Sequence, residues 1–346
     1  MTRLEFTVPP EADGKLLGDV LRKFAGMSRS GVVRAKYTDN GIMLDGVRSR
    51  TNMPVRTGQH LSIHLDDAVE KIEACTVVAD ADADAPDAAW RSLDILYEDE
   101  SLVVVNKPAG LSMYPGPGHW DNTLGNMMQA RTRALGLQST LHPIHRLDIG
   151  TSGAVLFAYN AHAQHRLTEG MHGQGFTRQY LAFCEGVPSA DDVPALLDAV
   201  LTCENGCFTV EANIARVSYA PSVFAAVPAD HEAGKYARTH FRVEESFTLQ
   251  TPQGETTVSR LRLTLDTGRT HQIRIHMALL GHPLLGDDAY GTGAFTYVGE
   301  GGEERALTRP ALHSAAVDLV HPLTGEALHL EAPLPEDLAA LEPGRE

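Results

Sequence analysis

HRLDIGTSG, residues 145–153, is the stretch on which the reading of this chain turns. Asp148 sits between Leu147 and Ile149 among turn-forming residues, and the run feeds into an apolar strand expected over Ala154–Tyr159. A carboxylate in that setting has two readings. It caps the turn, accepting from Thr151 or Ser152 as Asp commonly does, or it is a partly buried nucleophile or base. Spacing alone leaves both open. Upstream, Leu102–Val105 reads as a short buried strand that ends at Asn106-Lys107-Pro108-Ala109-Gly110. Downstream, TGRTHQIRIH (267–276) packs Arg269, His271, Arg274 and His276 into the start of an apolar helix expected over His271–Leu280, with Gly281 as its stop and Pro283 beyond. Each cation near a helix N-terminus opposes the macrodipole by roughly 0.3–1 kcal/mol. The cluster therefore requires an anion nearby: a carboxylate such as Asp148, a phosphate, or both. A metal is not expected. His142, His145 and Asp148 form an H-x2-H-x2-D string, but Pro143 prevents a regular helix through it, and His271 and His276 miss the i, i+4 spacing of helical ligand pairs.

Further out, apolar strands alternate with Gly/Pro turns and occasional helices, which reads as an α+β fold and not a regular βαβ series. The segment Lys15–Leu65 forms a smaller α+β unit of its own. Leu16, Leu17, Val20, Leu21 and Phe24 fall at helical spacing, Ser28 caps a second helix, Asp45-Gly46 marks a two-residue hairpin, and Leu61, Ile63 and Leu65 alternate. Arg22, Lys23, Arg29, Arg34 and Lys36 cluster on the two helices. Between this unit and the rest lies CTVVADADADAPDAAW, a repeated Ala-Asp tract with little to bury and like charges that repel. The expected organisation is a first domain over 1–74, an acidic flexible linker over 75–92 and a second domain over 93–346.

The 346 residues carry a formal charge of −16, which excludes a uniformly basic nucleic-acid binder. Its distribution is uneven. Residues 1–65 hold ten Lys/Arg against six Asp/Glu, residues 66–100 hold two against twelve, and the tail 326–346 holds one against six. Parts with different partners are the expectation. The four cysteines include a single C-x3-C pair, Cys203 and Cys207, and read as free thiols. With no apolar run near the roughly 18 residues of a membrane span and no signal-peptide pattern, a cytoplasmic protein without membrane contact is expected.

These segments together resemble the RluA family of RNA pseudouridine synthases, over most of residues 93–335. ILYEDESLVVVNKPAGLSMYPG (95–116) looks like the family's opening strand and turn, and HRLDIGTSG matches its catalytic H-R-L-D-x-x-T-S-G signature. TRQYLAFCEG (177–186), GKYARTHFRV (234–243), TGRTHQIRIHMALLGHPLLGDDAYG (267–291) and RPALHSAAVDLVHP (309–322) follow in the family's order. The N-terminal unit is similar to an S4 RNA-binding domain, with a looser fit. The resemblance implies a catalytic domain with a mixed, mainly antiparallel central sheet, no cofactor, and RNA as partner, most often large-subunit (23S) ribosomal RNA, with tRNA as the alternative. It implies Asp148 as nucleophile, Arg274 as its salt-bridge partner, Tyr180 stacking on the target uracil and assisting proton removal at C5, and Arg146 entering the RNA stack in place of the flipped base. Substrate contacts are assigned to His145, Asn106, Lys107, Thr151, Arg269, His271 and Leu312, with His313 also near the pocket, and S4-like RNA contacts to Arg22, Lys23, Arg29, Arg34 and Lys36. A monomer is expected. The segment from Pro188 to Glu232 resembles the family least, and substrate choice is expected to reside there. Two other classes compete: a non-catalytic RNA-binding or ribosome-assembly protein, and a hydrolytic N-glycosidase, which needs a second carboxylate. The nearest acid before Asp148 is Asp121.

Overall fold

The strand Ser152–Ala158 is buried at all seven positions, and the large sheet is assembled around it. A strand covered on both faces reads as one apolar run, so its faces are not legible from alternation. They separate in the computed structural model, which describes residues 2–65, 89–116, 118–137, 140–173, 175–196, 198–219, 222–299 and 301–344. Val155 and Phe157 enter one core with Val103, Val105, Leu147, Tyr180 and Met277. Ala154, Leu156 and Ala158 enter another on the opposite face, with Leu102, Val104, Leu167 and Val317. Burying one such side chain fully contributes about 1.5–3 kcal/mol.

Among the described residues the sheet has twelve strands. Its main path runs Val200–Glu204, Cys207–Tyr219, Lys235–Thr251, Gly254–Leu265, Phe176–Glu185, Leu312–Val320, Ser152–Ala158, Leu102–Lys107 and Asp94–Glu98. Ser222–Val227, Ala327–Glu331 and His142–Pro143 pair off this path. Every pairing is antiparallel except that of Leu312–Val320 with Ser152–Ala158, where His313 faces Ser152 and Ser314 faces Gly153 in parallel register. The sheet is thus mixed and mainly antiparallel, as expected.

Few helices accompany it. Leu124–Ala134 is capped by Thr123, and Ala161–His172 by Asn160, whose Oδ1 accepts from Ala163 N at 2.8 Å. The helix expected over His271–Leu280 spans Gln272–Leu279. His271 stands outside it as the N-cap, at φ +56°, because the chain must swing sharply from the preceding strand into the helix. Gly281 follows at φ +83° and ends it.

Residues 3–65 form a separate four-stranded sheet, ordered Arg3–Thr7, His60–His64, Ile42–Leu44 and Val47–Arg48, with helices Leu17–Lys23 and Arg29–Tyr37. Ser28 Oγ accepts from Gly31 N at 3.0 Å, and Asp45 and Gly46 both take positive φ, the geometry of a type I′ hairpin turn. Leu17, Val20, Leu21, Val55, Leu61 and Ile63 form this unit's own core, against which Leu323 of the second body packs. Most of the expected linker, residues 75–88, lies outside the described residues; Ala89–Ser92 is a short 3-10 turn. Among the described residues no helix is long and apolar enough to cross a membrane.

Candidate active site

The loop Ile144–Thr151 lies where the sheet's one parallel pairing begins, and it is held from several directions. Lys107 is fully buried and its ammonium donates to the carbonyls of Pro108 (2.9 Å), Leu111 (2.9 Å) and Ile149 (3.3 Å). Gly110 N donates to the same Ile149 carbonyl at 2.8 Å. Arg309 donates to Gly150 O at 3.1 Å while pairing with Asp337. The turn itself closes through the main chain, Thr151 N donating to Asp148 O at 3.0 Å.

That last bond uses the carbonyl of Asp148 and leaves its carboxylate out of the turn. The carboxylate is 19% exposed, and its nearest ionic neighbour is His271, with Nε2 at 4.0 Å from Oδ2. It faces a cavity of about 310 Å³, within the range of small-ligand sites. The cavity is walled by His145, Arg146, Thr151, Arg178, Tyr180, Arg269, His271, Arg274 and Leu312. Every one of these except Arg178 was assigned to the site from sequence.

Four assignments are corrected. Arg274 does not pair with Asp148. Its guanidinium grips Asp287 with two 2.6 Å bonds and lies 3.7 Å from Asp288. Burial works against both charges of the Arg274–Asp287 pair, and the bidentate geometry outweighs it, raising the arginine and holding the Asp287 carboxyl below its usual range. Asp287 is therefore the anion that the basic helix start required. Lys107 is spent on three carbonyls beneath the loop, where burial pushes its ammonium down to about 7, and it presents nothing to a substrate. Asn106 donates to Asp94 at 3.0 Å and lies outside the cavity wall. His313 is bonded to Ser152 Oγ (2.9 Å) and to Ala332 O (3.2 Å) within the core.

The remaining side chains set the cavity's chemistry. His145 is buried edge-on to Phe176, ring centroids 5.9 Å apart, and burial pushes it down to about 3, so it is a neutral wall. Burial raises the Tyr180 phenol, so it keeps its proton at neutral pH; its ring serves better as a surface for a base than as a standing phenolate base. Burial also lowers His271, against the pull of Asp148. The His271 Nδ1 is 2.8 Å from Tyr290 Oη, which donates to Phe224 O at 3.0 Å. Asp287, Arg178 and Tyr290 were not singled out from sequence. A signal for Asp287 existed in its place inside the quoted motif TGRTHQIRIHMALLGHPLLGDDAYG. Among the described residues no three of His, Cys, Asp and Glu converge as metal ligands would. Arg22, Lys23, Arg29 and Lys36 lie exposed on the two N-terminal helices, with Arg22 tied to Asp19 at 2.6 Å, and none of them reaches the cavity wall. Arg34, half-buried on the second helix, lies near enough to His142 to help lower it, after burial.

Residues 101–279 match the family described as RNA pseudouridylate synthase. The chain belongs to that family. It is 31% identical over 98% of its length to the uncharacterized RNA pseudouridine synthase YhcT of Bacillus subtilis, covering 96% of that protein. It is 35% identical over 97% of its length to the ribosomal large subunit pseudouridine synthase D of Xylella fastidiosa, covering 90% of it. The human RNA Pseudouridylate Synthase Domain Containing 1 is similar in structure, with a TM-score of 0.50 and 26% identity, over 71% of this chain and 85% of that one. The chain is thus an RNA pseudouridine synthase of RluA type, an isomerase, and the cavity around Asp148 is the synthase's candidate active site.

Proposed function

We propose that this synthase converts specific uridines of large-subunit ribosomal RNA to pseudouridine, with Asp148 as the nucleophile. The observation that carries the assignment is the Asp148 carboxylate itself: partly desolvated, free of the turn that holds its backbone, and directed into a cavity walled by Tyr180, Leu312 and cations. The name of the Xylella fastidiosa relative, a ribosomal large subunit pseudouridine synthase, supports the choice of RNA.

In the reaction the bond between uracil N1 and the ribose C1′ breaks and a bond from C5 to C1′ forms. The C5 proton leaves and N1 ends protonated, so no oxidant, reductant or group donor takes part. A helix shields the reacting atoms, so the nucleotide must flip out of the stack, at a cost of a few kcal/mol. Arg146, exposed at the cavity rim, is placed to fill the gap. Tyr180 and Leu312 sandwich the uracil while it is detached and exclude water that would otherwise release it. Arg274, oriented by Asp287, supplies positive potential near the Asp148 carboxylate, and the His271 ring lies 4.0 Å from it. The unit over 1–74 serves as an S4-like RNA-binding domain, docking the RNA through Arg22, Lys23, Arg29, Arg34 and Lys36, and the acidic segment 75–92 tethers it.

The test is Asp148→Asn, an isostere that leaves the fold intact. Incubated in parallel with unmodified large-subunit ribosomal RNA and unmodified tRNA and read by carbodiimide treatment and primer extension, wild type is expected to produce new stops in the ribosomal RNA and the variant none. Wild-type turnover by the variant would overturn the role of Asp148, and stops confined to tRNA would overturn the choice of RNA.

A further inference from the structure

The segment that resembles the family least folds as a hairpin beside the candidate active site. Cys207–Tyr219 pairs antiparallel with Ser222–Val227, and the register slips between Arg216 and Ser218. A bulge of this kind re-aims side chains. Here it sets the Arg216 guanidinium 5.1 Å from the Phe224 ring and 5.2 Å from the Tyr219 ring. Among the described residues Arg216 has no carboxylate partner, and Tyr219 is 81% exposed. Exposed cation–π contacts contribute modestly by themselves, and this pair leaves a guanidinium and a ring accessible to a ligand.

Its surroundings point to what that ligand is. A second cavity of about 440 Å³ is lined by Arg216, Tyr219, Phe224, Lys235 and Arg269 among others, with no acidic residue, in a chain that carries sixteen more acids than bases. It shares Gly268, Arg269 and Thr270 with the cavity of Asp148, and Arg216 also borders the wider cleft in which Asp148 and Arg274 lie. Phe224 is tied back to the reacting centre, its carbonyl accepting from Tyr290 and its ring meeting His271 edge-on at 5.9 Å. Aromatic faces interleaved with unpaired cations bind single-stranded nucleic acid, the rings stacking on bases and the cations on phosphates.

We infer that Arg216, Tyr219, Lys235 and Arg269 form a subsite for a nucleotide flanking the target uridine, its base stacked on Tyr219 and Arg216 and its phosphate held by Lys235 and Arg269. The subsite rests on the reading of the neighbouring cavity as the place where uridine reacts. It adds affinity for the strand beside the target uridine, partly through a hairpin outside the catalytic motifs.

The test uses the full chain and a fluorescent seven-nucleotide uridine oligomer, with binding read by anisotropy across a salt series. Arg216→Ala is expected to weaken binding about tenfold and to flatten the plot of log affinity against log salt by about 0.7. Tyr219→Ala is expected to weaken it about tenfold with the salt slope unchanged, and Tyr219→Phe to restore it. Arg305→Ala removes one positive charge elsewhere and is the control. An oligomer carrying 5-iodouridine is expected to photo-crosslink at Tyr219. Wild-type binding by both alanine variants, an equal loss in the Arg305 control, or crosslinks confined to the N-terminal helices would overturn the subsite. Because the readout is binding, a protein that binds through Tyr219 yet forms no pseudouridine in ribosomal RNA would overturn the proposed function and leave this inference standing.

Discussion

Arg274 and Asp287 form a buried ion pair at the wall of the cavity that Asp148 faces. Their bond is bidentate, and the Asp287 side chain is wholly buried. Removing one partner of such a pair strands a charge, at about 3–5 kcal/mol. Asp287→Ala is therefore expected to lower the unfolding free energy by about that amount and to abolish pseudouridine formation, measured by urea denaturation and primer extension. Full activity in a stable Asp287→Ala protein would mean that Arg274 needs no orienting partner. At this scale the motifs quoted from sequence bring Asp148, Tyr180 and Arg274 to the wall of one cavity. Sequence misassigned Lys107 and Asn106, because a Lys or Asn in a turn motif looks alike whether it faces a substrate or a set of carbonyls. Only the tertiary path of 149 past 107 shows which.

Among elements, the parallel contact between Ser152–Ala158 and Leu312–Val320 places the loop of Asp148. It depends on Gly153, at φ +107°, where a Cβ would lie 2.2 Å from the backbone oxygen of Ser314. Backbone cannot give way as a flexible side chain can. Gly153→Ala is expected to cost more than about 4 kcal/mol and to remove activity with the fold. Gly281→Ala is the contrast, also at positive φ but facing open space, with an expected cost of about 1 kcal/mol. Thermal unfolding of the two variants checks both, and equal melting temperatures would refute the close-approach argument. Local signals sufficed for the helix caps at Ser28 and for the Asp45-Gly46 turn. They did not suffice for the start of Gln272–Leu279, because the left-handed conformation of His271 is imposed by the turn out of the preceding strand.

For the molecule as a whole, burial of histidines sets the response to acid. His145 is pushed down to about 3, and His162 and His276 to about 4, from an ordinary value of 6.5, burial being the leading cause in each. Between pH 6.5 and those values the unfolded chain binds more protons than the folded one, so stability is full above pH 6.5 and is lost as pH falls. At pH 5 each contributes about 2 kcal/mol of destabilisation, so the unfolding free energy is expected to be about 4–6 kcal/mol lower than at pH 7. Equal urea midpoints at the two pH values would contradict this. Charge distribution governs the second whole-molecule property. Reversing Lys23, Arg29 and Lys36 to Glu in the full chain is expected to weaken RNA binding at least tenfold at low salt and to reduce the salt slope by about 2. Unchanged binding would remove the N-terminal unit from RNA docking.

The sequence by itself determined the family, the α+β class and the linear order of the motifs, because each of these is carried by residues close together in the chain. Tertiary structure alone decided who partners whom. It paired Arg274 with Asp287, turned Lys107 inward to hold the loop, and brought the hairpin of Arg216 and Tyr219 beside a cavity built from residues 144–180 before it and 265–312 after it. Pairing across such separations depends on how strands register and how a bulge re-aims a side chain, and neither is written in the local pattern of residues.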